Sequence, residues 1–264
     1  MQMNVITRPS LGKPEPPRPD DLGTIALLLD VDGTILDTAI TPGSVVVPES
    51  LCSTLRELHV KSGGALALVS GRLIRNLDVL FAPLRLPAIG GHGAEMRLSG
   101  QDATLVRNTA VIGGALRRLI AAAAAPDPRI ILEDKGSSLA VHYRLAPQME
   151  QILKTRIAAI VERIGVPDLE VMHGKAVIEI KPTGFNKGEA VRSMMKKSPF
   201  AHRTPVFIGD DTTDESVFKV LPMLGGVGYS VERLIPGANG TFDSPNDVRG
   251  WLARLCGREG SDPQ

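Results

Sequence analysis

Aromatic residues are scarce in this chain, with one Trp, two Tyr and six Phe in 264 positions. So thin a supply offers no stacking platform for bases, and a formal net charge of +1 supplies no field for a polyanion. Nucleic acid is therefore not an expected partner. No stretch reaches the roughly 18 apolar residues of a membrane-spanning helix, so no membrane is expected either. Only two cysteines occur, Cys52 and Cys256, in no metal-ligand spacing and in no disulfide framework. The N-terminus lacks the apolar stretch of a secretory leader, which makes a reducing, cytoplasmic location the expectation. Proline, by contrast, is plentiful early, with five residues between Met1 and Pro19. That composition predicts an extended tail over 1–20, and C-G-R-E-G-S-D-P-Q predicts a frayed one at the other end.

The apolar share of 43% leaves ample material for a core. Three short, continuous apolar runs stand out: Ile25 to Leu29, Ala65 to Val69 and Val206 to Ile208. Unbroken apolarity predicts strands covered on both faces, and hence an α/β fold built on a parallel sheet. Between the first two runs, Leu51, Leu55 and Leu58 recur at helical spacing. Ligands of such sheets gather at the carboxyl ends of the strands. Asp30, Ser70 and Asp210 each follow one of the runs directly.

The middle third has a different rhythm. Val111, Ile112, Leu116, Leu119 and Ile120 trace an amphipathic helix, as do Met149, Leu153, Ile157, Ile160, Val161 and Ile164. Ser138 to Leu145 alternates, with Leu139, Val141, Tyr143 and Leu145 on one face and Ser138, Ala140, His142 and Arg144 on the other. Lys175 to Lys181 alternates likewise, setting Ala176, Ile178 and Ile180 against Lys175, Val177, Glu179 and Lys181. These patterns predict an α+β module over 105–182, inserted between two core segments at 21–104 and 183–264. Glycines near Gly91 and Gly184 are candidate hinges between module and core.

The chemistry centres on two acidic motifs. D-V-D-G-T places Asp30 and Asp32 one residue apart, and G-D-D-T-T-D adds Asp210, Asp211 and Asp214. Either motif alone would serve as an acidic turn or helix cap. Together on one sheet edge they demand a hard divalent cation, and oxygen-only ligation points to magnesium. Magnesium among carboxylates usually serves phosphoryl chemistry. Ser70, ahead of a predicted helix, and Lys187, opening another, are candidate phosphate contacts.

This order of motifs resembles the haloacid dehalogenase-like phosphatases, whose fold is a Rossmann-like core with an inserted cap. The resemblance implies that Asp30 is the nucleophile, forming an aspartyl-phosphate, and that Asp32 is general acid and then base. Ser70 and Lys187 would hold the phosphate. Asp30, the Asp32 carbonyl, Asp210 and Asp214 would hold Mg2+. G-H-G-A-E at Gly91 to Glu95, E-D-K-G-S-S-L-A-V-H-Y-R at Glu133 to Arg144 and G-K-A-V-I-E-I-K-P at Gly174 to Pro182 further resemble the trehalose-6-phosphate phosphatases. On that likeness Glu133, Lys135, Arg144, Lys175 and Glu179 would bind the sugar. The expected substrate is trehalose 6-phosphate, and no synthase-like segment precedes, so a stand-alone, monomeric enzyme is expected. Other sugar phosphatases, for sucrose 6-phosphate or mannosyl-3-phosphoglycerate, and a non-catalytic sugar-phosphate sensor are the competing readings. His92 and Arg72 carry no assignment.

Overall fold

A computed structural model describes residues 22–38, 45–106, 112–136, 138–184 and 186–257. The first apolar run becomes β1 (Ile25–Leu29), buried along its whole length. The leucines at helical spacing turn their apolar side inward on α1 (Glu49–Lys61), and the chain returns as β2 (Leu66–Val69). There follow α2 (Ile74–Leu80), β3 (Ala88–Gly90), β4 (Glu95–Arg97) and β5 (Leu105–Val106). The middle third supplies α3 (Gly114–Ala124), β6 (Ile131–Asp134), β7 (Leu139–His142), α4 (Glu150–Ile164), β8 (Leu169–Gly174) and β9 (Val177–Pro182). The last third holds α5 (Lys187–Met194), β10 (Thr204–Gly209), α6 (Glu215–Val220), β11 (Val227–Val231), β12 (Gly240–Phe242) and α7 (Pro245–Leu255).

Eight strands form the core sheet in the order β12-β11-β10-β1-β2-β3-β4-β5. From β12 to β3 every pairing is parallel; β4 and β5 join antiparallel at one edge. Both faces are covered. Leu27 and Leu29 pack with Leu51, Leu55 and Trp251 on one side, and Ala26 and Leu28 with Val191, Met194 and Phe218 on the other. That explains why the run at β1 does not alternate. The chain leaves β1 toward β2 but comes back to β10 on its other side, which opens a crevice at the carboxyl ends of these central strands.

The inserted module is a four-stranded antiparallel sheet, β6-β7-β9-β8, with α3 and α4 against one face. An α/β core carrying an α+β cap is the fold that the sequence predicts. Three details differ from the pattern. β5 pairs with β4, so the core sheet continues to Val106 rather than breaking at 105. β7 ends at His142, and Leu145, expected on the buried face, is 42% exposed beyond it. Lys175 to Lys181 is not one strand: β8 and β9 form a hairpin around Lys175 and Ala176, with Ala176 at φ 61°. The tails at 1–20 and 258–264, and Val111 of the first predicted cap helix, lie outside the described residues. No helix among those residues is long and apolar enough to cross a membrane.

Candidate active site

Three neighbouring strands deliver the first polar groups. Asp30 follows β1 and donates its backbone N–H to Ile208 of β10 (2.9 Å), while Ser70 follows β2 and Asp210 follows β10. Lys187 is the first residue of α5, a start fixed by the Asn186 side chain, which accepts the Glu189 N–H at 2.9 Å. The Lys187 ammonium lies 2.7 Å from Asp30 Oδ1 and 2.7 Å from Asp214 Oδ1. Asp214 Oδ2 accepts the backbone N–H groups of Asp210 (3.0 Å) and Asp211 (3.1 Å), so both its oxygens are engaged. The Thr34 hydroxyl lies 3.2 Å from Asp30 Oδ2 and 3.2 Å from Asp210 Oδ1, linking the two motifs.

Burial makes this cluster electrostatically strained. Asp30, Asp210 and Asp214 are all buried, and ligand oxygens from the three lie within 4.8 Å of one another. Burial pushes the Asp30 carboxyl well above the usual carboxylate range, against the pull of Lys187. It also raises Asp210 to about 6, helped by Asp214 and Asp211. Burial alone would lower Lys187, but Asp214 and Asp30 outweigh it and drive its pKa far above the ordinary lysine value. One buried ammonium thus faces three buried carboxylates, with Lys175 at the rim 3.8 Å from Asp210. A donor set of oxygens with surplus negative charge suits a hard divalent cation. The Asp32 side chain stands outside that set. Its two oxygens accept from Arg72 Nε and Nη2, each at 2.7 Å.

Gly33 shows how closely the motifs are fitted. It adopts φ +83°, and a Cβ there would overlap the Asp210 carboxylate. Gly33→Ala should therefore cost about 1–2 kcal/mol from the left-handed backbone alone and displace Asp210 as well. A thermal unfolding midpoint equal to the parent's would contradict this.

The cap covers the cleft with its second sheet face. Glu179 on β9 is buried, 6% exposed, rather than open to a ligand as the alternation suggests. It meets His92 Nε2 (2.7 Å), the Ser138 hydroxyl (2.7 Å) and Lys135 Nζ (3.3 Å). Burial alone would raise its carboxyl, yet His92 and Lys135 hold it well below the usual range. Glu133 is also lowered, chiefly by His142, whose Nε2 is 3.1 Å away. Lys175 stands on the hairpin turn, not on a strand beside Glu179, and pairs with Glu232 of the core at 2.9 Å. Arg144, likewise beyond its strand, donates to the Lys175 carbonyl at 3.1 Å. Lys181, expected on the polar face, is buried and ion-paired with Glu170.

All eleven residues singled out from the sequence therefore belong to one region, and all but Asp214 line one cleft. Sequence reasoning left Arg72 and His92 without a role, placed Ser138 only on the polar face of its strand, and did not mark Thr34 or Glu232. Thr34 stood inside D-V-D-G-T and could have been included; nothing marks Glu232, which reaches the cap only because the hairpin turn lies over it.

A model of the trehalose-phosphatase family matches residues 28–236. A probable trehalose-phosphate phosphatase of Sinorhizobium fredii is 41% identical over 238 residues, covering 89% of each chain. The trehalose-6-phosphate phosphatase of Escherichia coli is 40% identical over 230 residues, covering 87% of this chain and 86% of its own. Among solved structures, the C-terminal domain of a Candida albicans trehalose-6-phosphate phosphatase shares the fold, with a TM-score of 0.80 at 20% identity over 92% of this chain and 98% of that one. On the match across most of its length, this chain belongs to the trehalose-phosphatase family.

Proposed function

We propose that the protein hydrolyses trehalose 6-phosphate to trehalose and inorganic phosphate, with Asp30 as nucleophile. The observation that carries this reading is the buried Asp30 carboxylate, held at 2.7 Å by Lys187 beneath a polar cap face. Asp30, Asp210 and the Asp32 carbonyl, with Asp214 behind them, would hold Mg2+, which when bound neutralises phosphoryl charge. Lys187 keeps Asp30 aimed and offers a cation to the phosphate, and Ser70 offers a hydroxyl from the next strand end. Attack of Asp30 on phosphorus forms an aspartyl-phosphate as the P–O bond to the sugar breaks, splitting hydrolysis into two easier displacements. Asp32 gives its proton to the departing sugar oxygen and then takes one from the attacking water. To meet that oxygen Asp32 must part from Arg72. Glu133, Lys135, Arg144 and Lys175 would supply the mixed donors and acceptors that a hydroxyl-rich sugar needs, and Glu179 would join them only by releasing His92, Ser138 or Lys135.

The test is phosphate release from a panel of sugar phosphates. Trehalose 6-phosphate should lead in kcat/KM; sucrose 6-phosphate or mannosyl-3-phosphoglycerate ahead of it would overturn the substrate. Failure to hydrolyse any of them would favour a sensor. EDTA should abolish release, Mg2+ restore it, and Ca2+ restore little, because Ca2+ takes more ligands at longer distances. Equal activity with Ca2+ would contradict the magnesium reading.

A further inference from the structure

We propose that His92 is a positioning residue that couples the seating of the cap to the loop Ser70–Arg72, with Gly71 as the point of contact. The inference rests on the reading of that loop as the phosphate contact. His92 stands at φ 54°, a region that side chains rarely adopt. Its backbone N–H donates to the Ser70 carbonyl (3.2 Å), and the Gly91 N–H donates to the Arg72 carbonyl (2.8 Å). The two loops are thus tied at both ends of the Ser70–Arg72 segment.

The ring itself is steered from two sides. Nε2 meets Glu179 of the cap at 2.7 Å, while the buried Nδ1 has no hydrogen-bond partner among the described residues. Gly71 also lies against the ring, where a Cβ would come within 2.5 Å of both Cε1 and Nε2. No residue but glycine leaves the ring its place. Lys135 completes the link from the cap, since its Nζ is 3.2 Å from the Gly71 carbonyl and 3.3 Å from Glu179 Oε1. Of the three groups that Glu179 holds, His92 and Lys135 both bear on Gly71. On either side of Gly71, the Ser70 hydroxyl accepts the Arg72 N–H at 3.1 Å, and Arg72 grips Asp32. When the cap lifts, the ring loses its one hydrogen-bond partner among the described residues, and Gly71 loses Lys135. The loop is braced from above only with the cap seated.

A double-mutant cycle read in steady-state kinetics with Mg2+ tests the coupling. His92→Ala and Gly71→Ala should each lower kcat for trehalose 6-phosphate by about 10²-fold, the cost of a misplaced reacting group. KM should move far less. The double variant should be no worse than the poorer single, because both changes break one contact. An aryl phosphate without a sugar should lose kcat to a similar degree. His92→Gln, whose amide can still donate to Glu179, should recover most of the loss. Losses that multiply in the double variant overturn the proposal. So does a rise in KM confined to trehalose 6-phosphate, which would make His92 a sugar contact. If Gly71→Ala does not fold, the His92→Ala and His92→Gln pair decides: unequal kcat supports the coupling and equal loss overturns it. If the parent prefers another sugar phosphate, the substrate reading fails, and the same cycle on that substrate still judges the coupling.

Discussion

Asp30→Asn should lower phosphate release by about 10⁴-fold or more, the scale seen when a covalent nucleophile is removed. An amide of the same shape cannot attack phosphorus, and the carboxylates of Asp214 and Asp32 are engaged elsewhere. Asp214 has both oxygens in hydrogen bonds, and Asp32 is held by Arg72. The fold should survive. Asparagine keeps the Thr34 hydroxyl as a neighbour and removes a charge that burial disfavours, so the unfolding midpoint should hold or rise. Phosphate release and thermal unfolding on the same preparation measure both effects. Turnover within tenfold of the parent would remove Asp30 from the nucleophile's role.

Lys187→Met should destabilise the fold strongly. It deletes the buried ammonium of this cluster and leaves Asp30 and Asp214 without their common partner at 2.7 Å. Breaking a buried pair in this way costs about 3–5 kcal/mol, because the remaining charge stays buried and uncompensated. Methionine fills the space of the lysine stem, so little of that loss comes from a cavity. Denaturant unfolding without and with Mg2+ gives the measurement. A divalent ion should stabilise the variant more than the parent, since it then meets the full surplus of negative charge. A stability change below about 1 kcal/mol, the median for exposed pairs, would mean that the pair is not electrostatically buried.

The parts of this site that the sequence makes legible share a cause. Asp30, Ser70 and Asp210 follow unbroken apolar runs, and such runs mean strands buried on both faces, with ligands at their carboxyl ends. The cap helices α3 and α4 are legible because their apolar positions keep a helical period against one sheet face. The hairpin β8–β9 is not. All six residues of β8 lie at intermediate or full exposure, so no alternation marks it. Its turn lacks the Gly or Asn that usually supplies a positive φ, and Ala176 takes that conformation instead. Lys175 therefore reads as a strand residue and is a turn residue. Glu179 lies on the expected side of its strand, but period alone cannot tell solvent from a second domain. What covers that side is His92, and it comes from a loop 87 positions away.

The central place of β1 in the core sheet governs how long the site lasts. Its amides and carbonyls are shared with β10 on one side and β2 on the other, and helices seal both faces. Amides in such a strand exchange their hydrogens with solvent only when the whole domain opens. The cap touches the core through side chains such as Lys175, Lys135 and His92, so it can detach in a far smaller excursion. Hydrogen exchange should thus divide the molecule into a durable anvil, with Asp30 set in it, and a cover that comes off many times in the anvil's lifetime.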